Sequence, residues 1–394
     1  MQSGAGWRAA APYFGVFLVL GLSAGFVGPS LDALGERAGV SDAAIGLVFV
    51  VQGGAYLVGA LGAGRLFDRR RGHRLLAAAL AALVVGFGAL ALSTLLWAVL
   101  VAFVVIGVAT STIDVGGNTL LVWVAPPDRL VGLLNGLHLC FGLGALASPI
   151  VVGLSLGIFD SVVPACLAVA AFAAASALVV RAVPSPRPRP RTEIHAARPP
   201  LPPIVAICVF FAVYVGLEAG FVGWVYTFAV DSGTTGEAGA ALVVALFWVG
   251  FCLSRLAAAT IGQRARPGVT LVVATSASLV PAAVLAVAGT TPAVLAVGSA
   301  VLGAALGPQF SLMIAYAERN LTLTGGITSL FIAAAALGGL SIPWVMGVVM
   351  DRRGPESFTT ATLLGSVLVL VALVAVRVAT ALTRDATRRA DPGR

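Results

Sequence analysis

Residues 21–28 read GLSAGFVG and residues 216–223 read GLEAGFVG, so the two segments differ only at Ser23 and Glu218. They lie 195 residues apart, and two further pairs of segments repeat at offsets of 190 and 194 residues: GRL at 64–66 with SRL at 254–256, and SPIVVG at 148–153 with IPWVMG at 342–347. Three separate parts of the chain therefore agree on one duplication. This pattern predicts a protein built from two similar halves that run in the same order.

The composition excludes a soluble globular protein. Of the 394 residues, 59% are hydrophobic and only 10% are charged, with a mean hydropathy of +1.03, whereas soluble domains carry about 25% charged residues. A helix needs about 20 apolar residues to cross a bilayer. The polar, proline and glycine breaks predict twelve such helices, at 10–34, 42–66, 74–94, 97–124, 130–158, 160–181, 203–230, 237–261, 268–289, 291–317, 324–350 and 357–382.

The charge pattern argues against nucleic-acid binding. All 24 basic residues are arginines, and they gather in short interruptions between apolar runs without forming a basic face; this placement is typical of topology signals. The four cysteines lie singly in apolar runs, without the spacing of a zinc site or a disulfide framework. Because the sequence also lacks a nucleophile motif and a phosphate loop, we expect no enzyme activity, no metal centre and no cofactor.

A linker is expected between two six-helix halves, residues 1–182 and 203–394. The intervening segment 183–202 is hydrophilic and rich in proline and arginine, a composition that suits a stiff connection. If both termini are cytoplasmic, most loop arginines fall on the cytoplasmic side, as the positive-inside rule requires. The sequence therefore predicts a multi-pass protein of the cell's inner membrane with cytoplasmic termini, embedded in lipid as a monomer.

Two carboxylates lie at membrane depth. Glu218 is about fifteen residues, or roughly 22 Å, into the seventh span, and Asp114 is about ten residues, or roughly 15 Å, from one end of the fourth. An ionised side chain at the helix centre costs about 2.5 to 3.5 kcal/mol, so such residues survive where they face a cavity or a partner. Thr110, Asp114 and Asn118 recur every four residues and share one helix face.

Other polar and aromatic side chains are placed at comparable depth. In the fifth span His138 lies close enough in depth to Asp114 for the two to pair, and the remaining candidates are Gln52, Asn135, Trp224, Tyr226, Arg255 and Gln309. Each has a plain alternative role, because buried amides and imidazoles often join helices, at about 0.6 kcal/mol each. Trp224 and Tyr226 could likewise belong to an interfacial aromatic belt.

The segment GALGAGRLFDRRRGHR, residues 59–74, resembles the loop signature between the second and third spans of the major facilitator superfamily. The resemblance implies a twelve-helix, all-α membrane fold of two pseudo-symmetric halves, with a substrate site near the bilayer midplane. It also implies a charge relay and latch at this loop. The residues that correspond to the signature are Gly64, Arg65, Asp68, Arg69, Gly72 and Arg74, and Arg255 lies near the matching end of the eighth span. This chain differs from the family in one respect: Gly72 follows Asp68 by four residues, where the family usually has three.

A narrower resemblance extends over most of the chain. The segments GFVGPSLDALG, GVATSTIDVGGNTLLVWV, LHLCFGLGALASP and YVGLEAGFVGWVYTFAV are similar to the fucose-permease-like sugar transporters and their sodium-dependent glucose transporter branch. This resemblance implies monosaccharide uptake coupled to a cation. It makes Asp114 the titrating acid of the fourth span and Asp32 an acid near the outer end of the first, with a sugar cavity lined by Asn118, Asn135, His138 and Trp224.

We therefore hypothesise a secondary active transporter that carries a sugar or a similar small polar solute inward with a proton. Protonation of Asp114 or Glu218 would neutralise a buried charge and make the loaded carrier easier to close. Sodium coupling, with Asp114, Asn118 and backbone oxygens as ligands, stays open at this point. So do a drug or metabolite efflux antiporter of the same superfamily and a non-transporting membrane receptor or scaffold.

Overall fold

The computed structural model describes residues 5–186, 200–260, 266–287 and 291–390. The predicted linker falls largely on 187–199, outside the described residues. Because a bilayer interior offers no water to bond the backbone, a lipid-embedded segment must satisfy its N–H and C=O groups within its own helix. Apolar runs of 20 to 34 residues accordingly become long helices, and twelve of the described segments are long and apolar enough to cross a membrane.

Six of these spans come from the first part of the chain. A one-turn helix, α2, lies between the first two spans, and the helices are α1 (Ala5–Ala38), α2 (Asp42–Ile45), α3 (Leu47–Phe67), α4 (Gly72–Leu92), α5 (Leu96–Val124), α6 (Leu130–Phe159) and α7 (Val163–Ala182). Within this part α1 packs along α6, α3 along α5, and α4 against both α5 and α7.

The second part contributes the other six spans. The helices are α8 (Leu201–Asp231), α9 (Glu237–Thr260), α10 (Pro267–Val287), α11 (Pro292–Leu306), α12 (Gln309–Asn320), α13 (Gly325–Arg353) and α14 (Ser357–Ala390). Here α8 packs on α14, and α9 packs on α11. The prediction of twelve spans is confirmed, with α11 and α12 together forming the tenth.

The described residues cluster into two compact units that follow the sequence halves except at one place. One unit takes in residues of 1–190 together with 323–333, and the other takes in those of 191–322 and 334–394. The first turns of α13 therefore belong to the first unit, although they come late in the chain.

Glycines in the repeated segments allow close helix packing. In the first unit a Cβ placed on Gly21 or Gly144 would overlap the backbone of the facing helix, α6 or α1 respectively. In the second unit a Cβ on Gly338 would overlap the backbone of Ala212 in α8. Phe26 and Phe221, which occupy the same place in the two repeats, are both fully buried. The AGFVG segment thus serves packing in both units.

The tenth span is broken at Gly307 and Pro308, between α11 and α12. Proline lacks an N–H and interrupts the helical hydrogen-bond ladder, which leaves carbonyl groups without helical partners. Side chains of neighbouring helices bond two carbonyl groups at the break: the Tyr214 hydroxyl donates to the Leu306 carbonyl at 3.1 Å, and the Arg255 Nε donates to the Gly307 carbonyl at 2.7 Å. Broken helices at membrane depth are tolerated only where such partners exist.

Candidate functional site

Four side chains from three helices of the first unit form one hydrogen-bonded chain, here named the Asp114 network. The Tyr56 hydroxyl of α3 donates to Asp114 Oδ2 of α5. Asn118 Nδ2, one turn along α5, donates to Asp114 Oδ1 at 2.8 Å. The Asn118 Oδ1 atom lies 3.2 Å from His138 Nε2 of α6. The sequence predicted a direct pair between His138 and Asp114, whereas the structure places Asn118 between them as a relay.

The directions of these bonds fix where the protons lie. Because the Asn118 amide nitrogen faces the carboxylate, its carbonyl oxygen faces the imidazole and can only accept. His138 therefore carries a hydrogen on Nε2. The imidazole ring is held by an edge-to-face contact with Phe17, with centroids 5.3 Å apart, so its orientation is set by packing as well as by the amide.

Burial is graded along the Asp114 network. Asn118 is fully buried and His138 is 6% exposed, whereas Asp114 and Tyr56 are partly exposed. Asp114 is thus less completely enclosed than Asn118, the residue that links it to His138. This arrangement suits a group that must exchange a proton or contact a solute and still keep a fixed geometry.

Glycines bring α3 close enough to α5 for Tyr56 to reach Asp114. A Cβ on Gly107 of α5 would press against the backbone of Gln52, and a Cβ on Gly59 of α3 would press against Val108 and Ser111. Small residues at such crossings let two backbones approach closely in a membrane. The glycines in GVATSTID and in YLVGALG therefore position the acid and its phenol.

A second polar group, here named the Glu218 cluster, lies in the second unit. Glu218 of α8 lies one turn after Tyr214 on the same helix, and it interacts electrostatically with the Arg255 guanidinium of α9. Arg255 is buried and stacks over the Phe251 ring at 4.1 Å. The arginine that interacts with Glu218 therefore also bonds the break in the tenth span.

A third arrangement lies at the end of α3. Asp68 follows its last residue, and its two carboxylate oxygens accept hydrogen bonds from the backbone N–H groups of Gly325 and Gly326 at 2.6 and 2.8 Å. These are the first residues of α13, where unpaired N–H groups and the helix dipole favour a negative charge. A Cβ on Gly64 would overlap Gly325 and Ser329, so the approach of the two segments depends on that glycine.

The pKa of Asp68 is raised above its ordinary value of 3.8. Burial of the carboxyl is the largest cause, and the N–H donors of Gly326 and Gly325 oppose it by stabilising the charged form.

A family model described as the Major Facilitator Superfamily matches residues 13–343 of the chain. The chain belongs to the major facilitator superfamily. It is an all-α, multi-pass membrane protein with the fold of that superfamily. In this chain Asp68 of the superfamily loop signature caps α13, and the extra residue before Gly72 does not prevent this contact.

Individual proteins and solved structures of the superfamily are similar to this chain over most of its length. The chain is 25% identical over 399 aligned positions to mouse sodium-dependent glucose transporter 1A, across 90% of this chain and 92% of that protein. The fucose:proton symporter of E. coli has a TM-score of 0.79 at 16% identity, covering 95% of this chain and 99% of that one. The proton:xylose symporter XylE, solved with 6-bromo-6-deoxy-D-glucose, has a TM-score of 0.75 at 10% identity, covering 94% and 95%. At these identities the solved structures show the fold.

The other predicted site residues of this superfamily member lie in varied surroundings. Trp224 donates from Nε1 to the Pro343 carbonyl of α13 at 2.7 Å, and Tyr226 is 39% exposed. Gln309 is fully buried at the start of α12, where it accepts from Thr275 and donates to the Ala305 carbonyl. Asn135 is fully buried and donates to Val131 within its own helix.

The predicted polar residues also include some near the surface. Asp32 is exposed near the end of α1, and the side chain of Gln52 is partly exposed in α3. The arginines of the superfamily loop signature are exposed as well, namely Arg65, Arg69 and Arg74. The roles assigned to all these residues stay predictions.

Two residues of the polar clusters were missed by sequence reasoning, Tyr56 and Tyr214. Each lies four residues from a polar position that was singled out, Tyr56 after Gln52 and Tyr214 before Glu218. Residues four apart share a helix face. The signal was therefore present in the sequence, but tyrosines in apolar spans are common enough as belt residues to be passed over.

Proposed function

We propose that this superfamily member is a secondary transporter that carries a monosaccharide or similar small polyol across the cytoplasmic membrane together with a cation, by alternating access. Both termini lie in the cytoplasm, because that orientation puts most loop arginines on the cytoplasmic side. Asp114 is the coupling carboxylate.

The observation that carries this proposal is the Asp114 network. An ionised carboxylate at membrane depth costs free energy, so it indicates a functional role. Asp114 is such a carboxylate: its residue is partly exposed, and it is held by a phenol and by a buried amide–imidazole pair. Protonation of Asp114 removes its charge and adds an O–H donor to the group. The acid can therefore alternate between charged and neutral forms as the carrier moves.

The coupling ion is a proton. Both Asp114 oxygens already accept hydrogen bonds, from Tyr56 and from Asn118, whereas sodium needs several oxygen ligands pointing at one position. The names of the curated relatives include sodium dependence, which makes sodium the alternative that an experiment must separate.

A sugar suits the chemistry of the candidate residues. A hydroxyl-rich solute needs carboxylate, amide and imidazole partners with an aromatic surface, and the first unit holds Asp114, Asn118 and His138 in one chain. The names of the relatives and of the two symporters of like fold refer to glucose, fucose and xylose. These names support a monosaccharide as the substrate class.

Uptake by purified protein in liposomes tests the proposal. Radiolabelled monosaccharides are presented under an imposed pH gradient, an imposed sodium gradient, or neither. We expect accumulation only under the pH gradient, and its loss in Asp114→Asn. Asp351→Asn, which changes an exposed carboxyl at the end of α13, is the matched control and keeps full uptake. Accumulation that follows sodium alone, or that survives Asp114→Asn, would overturn the proposed coupling.

A further inference from the structure

A groove of about 630 Å³ lies between the start of α4 and the end of α7 in the first unit. Three arginines line one end of it: Arg71 and Arg74 at the start of α4, and Arg181 in the last turn of α7. Three alanines of α4 line the other end, Ala77, Ala78 and Ala81. The groove is thus cationic at one end and apolar at the other.

The cationic end has no carboxylate partner in the described part of the chain. Arg71, Arg74 and Arg181 are exposed, and among the described residues none of their guanidinium groups forms a hydrogen bond or an ion pair. The nearby Asp68 directs its oxygens at Gly325 and Gly326 instead. Three like charges around one cavity repel one another unless an anion lies between them.

A second cavity adjoins the first on the same side. It measures about 390 Å³, shares Arg71 and Arg74 with the groove, and adds Arg69 and Arg70. Five arginines therefore line the two cavities together.

The apolar end follows the surface of α4 into the membrane. Arg74, Ala78 and Ala81 are spaced four and three residues apart and share one helix face. At about 1.5 Å per residue, Ala81 lies roughly 10 Å deeper than Arg74. Ala78 and Ala81 are exposed, and their small side chains leave room along the helix for an extended hydrocarbon chain.

The wall of the groove is held rigid by His73. Its Nε2 bonds the Tyr13 hydroxyl at 2.9 Å, its Nδ1 lies 2.9 Å from the Val183 carbonyl, and its backbone N–H donates to Ser185 Oγ at 3.1 Å. His73 is 4% exposed. The segment after α7 is thereby fixed against the start of α4, so that Arg181 stays beside Arg71 and Arg74.

We propose that this groove is a binding site for an anionic glycerophospholipid, whose phosphate lies among Arg71, Arg74 and Arg181 and one acyl chain along Ala78 and Ala81. Phosphate is the anion that arginine bonds best, through paired N–H groups. Basic pockets between helices at a membrane surface bind acidic headgroups. In the orientation given above, the lipid belongs to the cytoplasmic leaflet.

Native mass spectrometry of the purified full chain tests the headgroup. The protein is titrated with phosphatidylglycerol or with phosphatidylcholine of the same acyl chains. We expect phosphatidylglycerol adducts to dominate, and their affinity to fall roughly 30-fold in Arg71→Gln/Arg181→Gln. Arg352→Gln/Arg353→Gln removes two exposed charges from the end of α13 and keeps wild-type affinity. Arg71→Lys/Arg181→Lys keeps preference for the anionic lipid and shows that the fold is intact.

A second measurement separates a lipid from a free phosphate. Ala78→Leu fills the apolar end and weakens phosphatidylglycerol binding severalfold, whereas Ala24→Leu, at an exposed alanine of α1, does not. Glycerol phosphate, which lacks acyl chains, fails to displace the lipid. Equal binding of the two lipids, an equal loss in the control charge variant, or displacement by glycerol phosphate would overturn the proposal. None of these readouts depends on transport.

Discussion

At the scale of single residues, the Tyr56 hydroxyl is the neutral donor that holds Asp114. Tyr56→Phe removes one hydrogen bond and changes the side-chain volume little, so the carboxylate loses a partner that stabilises its charged form. We expect the pH profile of uptake to move to higher pH and the maximal rate to fall about threefold to tenfold, as for loss of one hydrogen bond. Uptake against pH in liposomes measures both.

Tyr316→Phe serves as the control for this substitution, because Tyr316 lies in α12 and is not part of the Asp114 network. It leaves the pH profile where it is. An unchanged profile in Tyr56→Phe would show that the phenol has no part in coupling.

The imidazole of His138 is expected to act as a donor. His138→Gln keeps an N–H group that can reach Asn118 Oδ1, whereas His138→Leu leaves that buried oxygen without a donor, at a cost of about 1–3 kcal/mol. We expect the Leu variant to lose most uptake and thermal stability and the Gln variant to keep much of both. Uptake rates and melting temperatures in detergent provide the comparison. Equal losses in the two variants would contradict a donor role.

The sequence could place Asp114 and Asn118 on one helix face, because periodicity within a helix is visible in a single chain. It could bring His138 only to a similar depth. It could not show that Asn118 lies between the other two, since the rotation of α6 against α5 depends on packing that no local pattern encodes. The same limit hid the contact between Tyr56 and Asp114. That contact depends on Gly59 and Gly107, which allow α3 and α5 to approach closely. Their importance can be recognised only once the two helices are known to pack together.

At the scale of helices, the repeated segment of α1 offers a matched pair of glycines. A Cβ at Gly21 would overlap the α6 backbone, whereas nothing lies within 4 Å of one at Gly28. Gly21→Ala is therefore expected to destabilise the fold by about 1–3 kcal/mol through overpacking, and Gly28→Ala to leave it unchanged or slightly more stable. Melting temperatures in detergent decide this. Equal melting points would mean that α1 and α6 can separate freely.

The break in the tenth span gives a second prediction for an element. Tyr214→Phe removes the donor to the Leu306 carbonyl, so we expect a loss of about 1–3 kcal/mol for the carbonyl left unpaired. Tyr226→Phe on the same helix changes a ring that is 39% exposed and should leave the melting temperature as it is. A melting temperature unaffected by Tyr214→Phe would show that the break does not need this bond.

The helices themselves were predictable, because twelve apolar runs must cross the membrane. The break was not, because a proline in a transmembrane helix often leaves the helix continuous, as Pro149 and Pro343 do here. What distinguishes Pro308 is the set of donors around it. Tyr214 and Arg255 come from other helices, and only the folded chain brings them to one place.

At the scale of the whole molecule, the hydrogen bond from the Gly325 N–H group to Asp68 links residues that lie 257 positions apart in the chain. Its pKa is raised, and a carboxyl with a raised folded pKa contributes its full stability below the unfolded value and loses it as pH rises through the folded value. Asp68→Asn does not titrate. We therefore expect the melting temperature of Asp68→Asn, relative to wild type, to rise from acid to neutral pH, as measured in parallel pH series.

Asp351→Asn is the control for that series, since Asp351 is exposed, and its difference from wild type should stay flat with pH. A flat difference in Asp68→Asn as well would show that the carboxyl keeps its ordinary pKa in the fold.

The duplication visible in the sequence could predict two halves. It could not predict that the first turns of α13 would cluster with the first unit, because nothing in GGITSLF distinguishes it from its neighbours.

That placement bears on attempts to produce the protein in pieces. A gene divided within the linker would encode a first fragment that ends before residue 323, although 323–333 cluster with it. Made alone, this fragment would leave the Asp68 carboxylate exposed to water, because it lacks the Gly325 and Gly326 N–H groups that bond Asp68 in the full chain. Co-expression of the two pieces, or a circular permutant that restores those residues, is therefore the sound route to a working split transporter.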